Sequence, residues 1–142
     1  MTIYFDMDGT IADLYADPNW LEKLRAYDPS PYRDAAPMLN MNSLARQLNK
    51  LQRAGYTIGI ISWLSKTSSA AYNEAVTKAK KAWLHQHLHS VKWDAIHIVA
   101  YGTSKKTIGN SGILFDDEQR NRDEWGSGAY TPDEIMEVLK AL

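Results

Sequence analysis

The stretch TIYFDMDGT (residues 2–10) passes from four strand-forming residues straight into two aspartates and a glycine. Residues 2–5 are short, apolar and rich in β-branched and aromatic side chains, as strands buried on both faces are. Asp6 and Asp8, two residues apart at the end of that run, repel each other and raise each other's pKa unless positive charge lies between them. The first basic side chain in the chain is Lys23. The pair therefore requires a cation from solution or a basic partner from a distant part of the chain.

Three further runs share the character of the first: YTIGII (56–61), AIHIVA (95–100) and GILF (112–115). Helical patterns separate them. NSLARQLNKLQRAG (42–55) places Leu44, Leu48 and Leu51 on one face, with Asn42 as the expected N-cap and Gly55 as the stop. A longer helix is expected from about Ser68 to His87, with Tyr72, Val76, Ala79 and Trp83 on one face. TPDE (131–134) is a capping box that opens a last helix carrying Ile135, Met136, Val138 and Leu139. Strands alternating with helices predict a three-layer α/β fold, a parallel sheet with helices on both faces, and one domain over 1–142. Residues 14–38 interrupt that rhythm. They are too long for a strand-to-helix connection and rich in Pro, Asp and aromatics, so they read as a small insertion.

Composition limits the function. The 142 residues are 44% hydrophobic and 23% charged, values of a globular chain. Lys and Arg are spread along a chain of net charge −1, which predicts no extended nucleic-acid surface. The absence of cysteine excludes thiolate chemistry and disulfides, and fits a reducing, cytoplasmic setting. The apolar runs are too short to span a bilayer, and the acidic start does not resemble a signal peptide.

In an open parallel sheet, ligands bind beyond the carboxyl ends of the strands. Asp6, Ser62 and Asp116 each follow a predicted strand, so neighbouring strands would bring them to one edge. Asp6, Asp8, Asp116 and Asp117 would then crowd one crevice, a set relieved by a hard divalent cation such as Mg²⁺. Gly9 suits a turn whose amides approach an anion. Ser62 and an ammonium from GTSKKT (102–107), either Lys105 or Lys106, would complete a phosphate cradle suited to phosphoryl transfer.

The same residues carry a family likeness. DMDGT (6–10), Ser62, the lysine of SKKT (104–107) and ILFDD (113–117) resemble, in order, the four motifs of the haloacid dehalogenase superfamily. The resemblance implies a Rossmann-like core and a Mg²⁺-dependent phosphatase. It implies Asp6 as the nucleophile that forms an aspartyl-phosphate and Asp8 as general acid/base. The metal would be held by the Asp6 carboxylate, the Asp8 carbonyl and Asp116, with Asp117 orienting metal-bound water. Ser62 and a lysine would hold phosphate. A phosphate-binding protein without turnover would be expected to lack an acid at 6 or 8, and both are present.

PYRDAAPM (31–38), KAKKAWLHQHL (78–88), SKKTI (104–108) and ILFDDEQRNRDEW (113–125) further resemble the 5′(3′)-deoxyribonucleotidases. The family's lysine-to-aspartate spacing selects Lys106. This likeness implies a small phosphorylated substrate, a nucleoside monophosphate, and makes 14–38 a cap, shorter than is usual there. Sugar phosphates and phosphorylated nucleic-acid ends are the rival substrates. Tyr15, Trp20, Tyr27 and Tyr32 would either stack on a base or pack among themselves, and Arg33 would contact substrate or form a surface ion pair. HQHLH (85–89) has no acid to complete a metal set. Trp83, Trp93 and Trp125 read as packing, and Lys78, Lys80 and Lys81 as a solvated helix face.

Overall fold

The computed structural model describes residues 1–66 and 69–142; Ser68, the expected start of the second helix, lies outside the described residues. Strand β1 (Thr2–Phe5) is the centre of a five-stranded sheet. β4 (Thr57–Trp63) and then β5 (Ala95–Val99) lie on one side of it, and β6 (Ile113–Phe115) and β7 (Ala129–Tyr130) on the other. All pairings in this sheet are parallel, with Phe5 beside Ile60 and Phe115. The chain builds outward from β1 to β5 and then returns to β6, which makes the carboxyl edge of β1 a switch point in strand order. The expected strands are present, and β7 was not among them. β4 runs to Trp63, two residues further than the apolar pattern indicated, so Ser62 lies within the strand.

Period-two alternation divides the core into two layers. Ile3, Phe5, Ile58, Ile60, Ile113 and Phe115 face Leu44, Leu48 and Leu51 of α3 (Met41–Arg53). The same cluster takes Trp83 and Leu84 of α4 (Ala70–His87) and Ile135 and Leu139 of α7 (Ile135–Ala141). Tyr4, Ile61 and Leu114 face the other way, toward Ile108 of α5 (Lys105–Gly109) and Trp125 of α6 (Gln119–Trp125). The molecule is thus a three-layer, Rossmann-like α/β fold.

Helix starts follow capping chemistry. Asn40, not Asn42, caps α3: its backbone is extended and its Oδ1 accepts the Ser43 amide at 2.9 Å, which leaves Asn42 inside the first turn. The Thr131–Glu134 capping box is formed and leads through a 3₁₀ turn into α7.

The segment 14–38 is tied at its base by β2 (Ala12–Asp13) pairing antiparallel with β3 (Ala36–Pro37). Between them run a 3₁₀ turn, α1 (Trp20–Arg25) and α2 (Ser30–Asp34). Leu14, Leu24 and Tyr32 pack on Tyr72, Val76 and Ala79 of α4, so the segment has a small core of its own against that helix. Among the described residues, no helix is long and apolar enough to cross a membrane.

Candidate active site

The carboxyl ends of β1 and β6 bring Asp6 and Asp116 together. Side chains at 4 and 114 face α5, and the same alternation carries Asp6 and Asp116 to that side. A lysine is waiting there. Lys105, at the first position of α5 and 2% exposed, donates to Asp6 Oδ1 at 2.8 Å and to Asp116 Oδ2 at 2.7 Å. Burial pulls the Lys105 ammonium down, but Asp6 and Asp116 outweigh it and the net displacement is upward. Lys106, the lysine selected from spacing, does not reach the carboxylates. It is turned to the far end of α6, where its Nζ donates to the Trp125 carbonyl at 2.8 Å. The reason is helical: one residue is about 100° of rotation, so neighbouring side chains cannot share a target.

Asp116 is fully held. Its Oδ1 accepts the Glu118 amide, its Oδ2 also accepts from Asn121, and its carbonyl accepts from Arg122. Burial and then the nearby Asp6 push its carboxyl up to about 6, against the pull of Lys105. Thr10, buried in the turn after β1, donates to Asp6 Oδ2 at 3.1 Å. Oxygens of Asp6, Asp116 and Asp117 lie within 4.8 Å of one another. Asp117 keeps contact with solvent as a residue, yet desolvation of its carboxyl, followed by the charges of Asp6 and Asp116, raises it to about 8. Three carboxylates crowd together here, and the one ammonium beside them pairs with two. The surplus of negative charge and the hard oxygen donors fit a divalent cation of the Mg²⁺ type, and these three residues could hold it.

Asp8 points elsewhere. Its Oδ2 accepts from Lys80 Nζ at 2.9 Å, and its carboxylate is not part of the three-acid cluster. Burial lifts the Asp8 carboxyl above the ordinary carboxylate value; Lys80 pulls it down without cancelling the lift, and Asp6 adds to it. Lys80 is not on a solvated face. It is 0% exposed, whereas its neighbours Lys78 and Lys81 are exposed. Position 80 lies four residues after Val76 and one after Ala79 on the buried side of α4, and that spacing was the sequence signal available for it.

Ser62 and Gly9, the two expected phosphate contacts, are both engaged by partners within the protein. Ser62 shares the face of Ile58 and Ile60, is completely buried, and accepts from Lys80 at 2.6 Å; it does not line the cavity. Its place in the strand, rather than beyond it, turns it toward α4. The Gly9 amide donates to the Ala12 carbonyl at 2.8 Å, closing the turn on itself. Glycine is nonetheless required at 9: φ is +80°, and a Cβ would collide with Asp117 Oδ2.

The acids open into a cavity of about 320 Å³. Tyr15, Trp20 and Tyr32 of the insertion form one part of its wall, and Trp63, Leu64 and Tyr101 another, with Arg25 and Lys66 also lining it. Tyr15 and Trp20 meet edge to face at 5.0 Å, as Tyr27 meets Tyr72 at 5.4 Å outside the cavity. Arg33 pairs with Asp34 at the surface. Trp83 and Trp125 are core residues and Trp93 packs against the core. Among the described residues, the histidines of 85–89 join no potential metal cluster.

No protein-family model matches the chain, and no curated protein matches it. Among solved structures, that of D,D-heptose 1,7-bisphosphate phosphatase from Burkholderia thailandensis is similar, with a TM-score of 0.57 and 11% identity. The match covers 99% of this chain and 96% of that one. At this identity the likeness establishes a shared fold.

Proposed function

We propose that this chain is a Mg²⁺-dependent phosphomonoesterase of the haloacid dehalogenase type that works through an aspartyl-phosphate on Asp6. The observation that carries the reading is the meeting of Asp6, Asp116 and Asp117 within 4.8 Å at the switch point, with Lys105 bridging the first two. The shared fold with a phosphatase supports it. In this reading Asp6 attacks phosphorus, and a carboxylate nucleophile divides one hard hydrolysis into two easier steps. Asp8, lining the same cavity with a raised pKa, gives a proton to the leaving oxygen and later takes one from water. Lys105, Thr10 and Asn121 hold the acids in place. Asp6, Asp116 and Asp117 would hold Mg²⁺, and the chemistry a bound ion supplies is neutralisation of the phosphoryl oxygens.

The substrate in this proposal is a nucleoside monophosphate. The aromatic walls formed by Tyr15 and Trp20 and by Trp63 and Tyr101 support it, because base–aromatic stacking tolerates any base. Residues 14–38 then act as a cap. The Burkholderia protein's own substrate, a sugar bisphosphate, favours sugar phosphates as a second reading.

The test is phosphate release from deoxynucleotides, ribonucleotides and sugar phosphates, with Mg²⁺ and then with EDTA. Turnover confined to nucleotides and lost in EDTA is the expected result; turnover of sugar phosphates alone selects the second reading. Asp6→Asn should abolish turnover with the circular dichroism spectrum unchanged, and full activity in that variant would exclude the covalent route.

A further inference from the structure

Lys80 is a charged residue in a place where an apolar one would fit. Its neighbours on the inner face of α4, Val76, Ala79 and Trp83, are buried and belong to the cores on either side of it. A buried ammonium is costly unless paired and fully hydrogen-bonded. Lys80 meets both conditions: its Nζ donates to Asp8 Oδ2 at 2.9 Å, Ser62 Oγ at 2.6 Å and the Trp63 carbonyl at 2.7 Å. Three donors reach three acceptors, which is the whole capacity of an ammonium group. It also stands 5.0 Å from the ring centroid of Tyr32, which comes from the inserted segment.

The two buried lysines divide the acids between them. Lys105 reaches from the α5 layer to Asp6 and Asp116, and Lys80 reaches from the α4 layer to Asp8. The carboxyl group proposed to move protons is thereby separated from those proposed to meet metal and phosphorus. Ser62 and the Trp63 carbonyl anchor the Lys80 end of this arrangement to β4.

We propose that Lys80 is the positioning residue for Asp8, fixing Oδ2 so that the other carboxyl oxygen exchanges the proton with the substrate's leaving oxygen. This rests on the reading of Asp8 as general acid/base. In the first half-reaction an Asp6 oxygen bonds to phosphorus, the bond from phosphorus to the leaving oxygen breaks with its electron pair on oxygen, and the Asp8 proton moves there. In the second, water bonds to phosphorus and returns a proton to Asp8, while the acyl-phosphate bond breaks with its electrons on Asp6. Both steps need Asp8 at a fixed orientation, and a one-ångström error in placement is costly.

The leaving group supplies the test. An alkyl phosphate needs its leaving oxygen protonated, whereas p-nitrophenyl phosphate expels a stable phenolate without that help. With saturating Mg²⁺, Lys80→Met should lower kcat/KM, which reports the first half-reaction alone, about 100-fold on the alkyl ester, within the usual reach of general acid catalysis. On the p-nitrophenyl ester the loss should be about tenfold or less. Lys80→Gln, which keeps a donor at reduced reach, carries the same comparison if the Met variant does not fold. Equal losses on both esters, or no loss on either, would overturn the positioning role while leaving the phosphatase reading intact. Wild-type protein that cleaves neither ester would overturn the phosphatase reading, and this inference with it.

Discussion

At the scale of single residues, the contrast between Lys105 and Lys106 shows what one helical position decides. Both are lysines in the same pentapeptide helix, yet one is buried between two carboxylates and the other reaches a backbone carbonyl. Lys105→Met leaves Asp6 and Asp116 facing each other without the charge that separates them. Removing one partner of a buried ion pair costs about 3–5 kcal/mol. Lys106→Met removes one hydrogen bond to a carbonyl, worth about 1–2 kcal/mol. Urea unfolding of the two variants should therefore show the Lys105 change as the larger loss, and the proposed phosphatase activity should fall by orders of magnitude only in that variant. The reverse order would reassign the lysine. Neither spacing nor composition could make this choice, because it depends on where α5 begins.

At the scale of elements, α4 does three jobs along its length. Tyr72, Val76 and Ala79 hold the inserted segment, Lys80 enters the site, and Trp83 and Leu84 complete the main core. Its apolar face was legible in the sequence because Tyr72, Val76, Ala79 and Trp83 keep helical spacing. The burial of Lys80 was not, since a lysine beside two other lysines looks like a solvated surface until the partner acid is known. Trp83 also pins the segment's exit: its indole Nε1 donates to the Ala35 carbonyl at 2.8 Å, just after α2. Trp83→Phe removes the pyrrole half of the indole, which leaves a void and strips that buried carbonyl of its donor, at a cost of at least about 1–3 kcal/mol. Chemical denaturation should register that loss, and an unchanged midpoint would mean that another donor takes over. The short elements tell the opposite story. β7 and the β2–β3 pair are two residues each, too short for any periodicity to announce them.

At the scale of the whole molecule, the acidic crevice should couple stability to pH and, if it holds the proposed cation, to metal. Burial and the crowding of neighbouring carboxylates raise Asp116 to about 6 and Asp117 to about 8, both above the ordinary carboxylate value of 3.8. The folded state therefore holds more protons than the unfolded chain between those limits. Its contribution to stability is complete below the unfolded pKa and is lost as pH rises through the folded values. Mg²⁺ binding takes ionised carboxylates and so releases protons. The rise in Tm caused by Mg²⁺ should accordingly be larger near pH 8 than near pH 5, measured by thermal melts at fixed ionic strength. Equal shifts at both pH values, or none, would count against a carboxylate-held ion.

The sequence by itself determined the layered α/β architecture, the four longer strands and the identity of the acids that end two of them. These follow from local rules: apolar periodicity, capping and the abrupt change from strand to Asp. Sheet order then brings Asp6 and Asp116 side by side, a meeting that the sequence left conditional on their strands being neighbours. Only the tertiary structure decided which lysines face which acids, that Ser62 turns inward to Lys80, and that Gly9 serves a positive φ beside Asp117 instead of presenting its amide. These depend on a rotation about a helix, on where a strand stops by one or two residues, or on the backbone angle of a single turn residue. Such differences are smaller than a periodic pattern resolves, yet they decide whether a charge is buried with a partner or left to solvent.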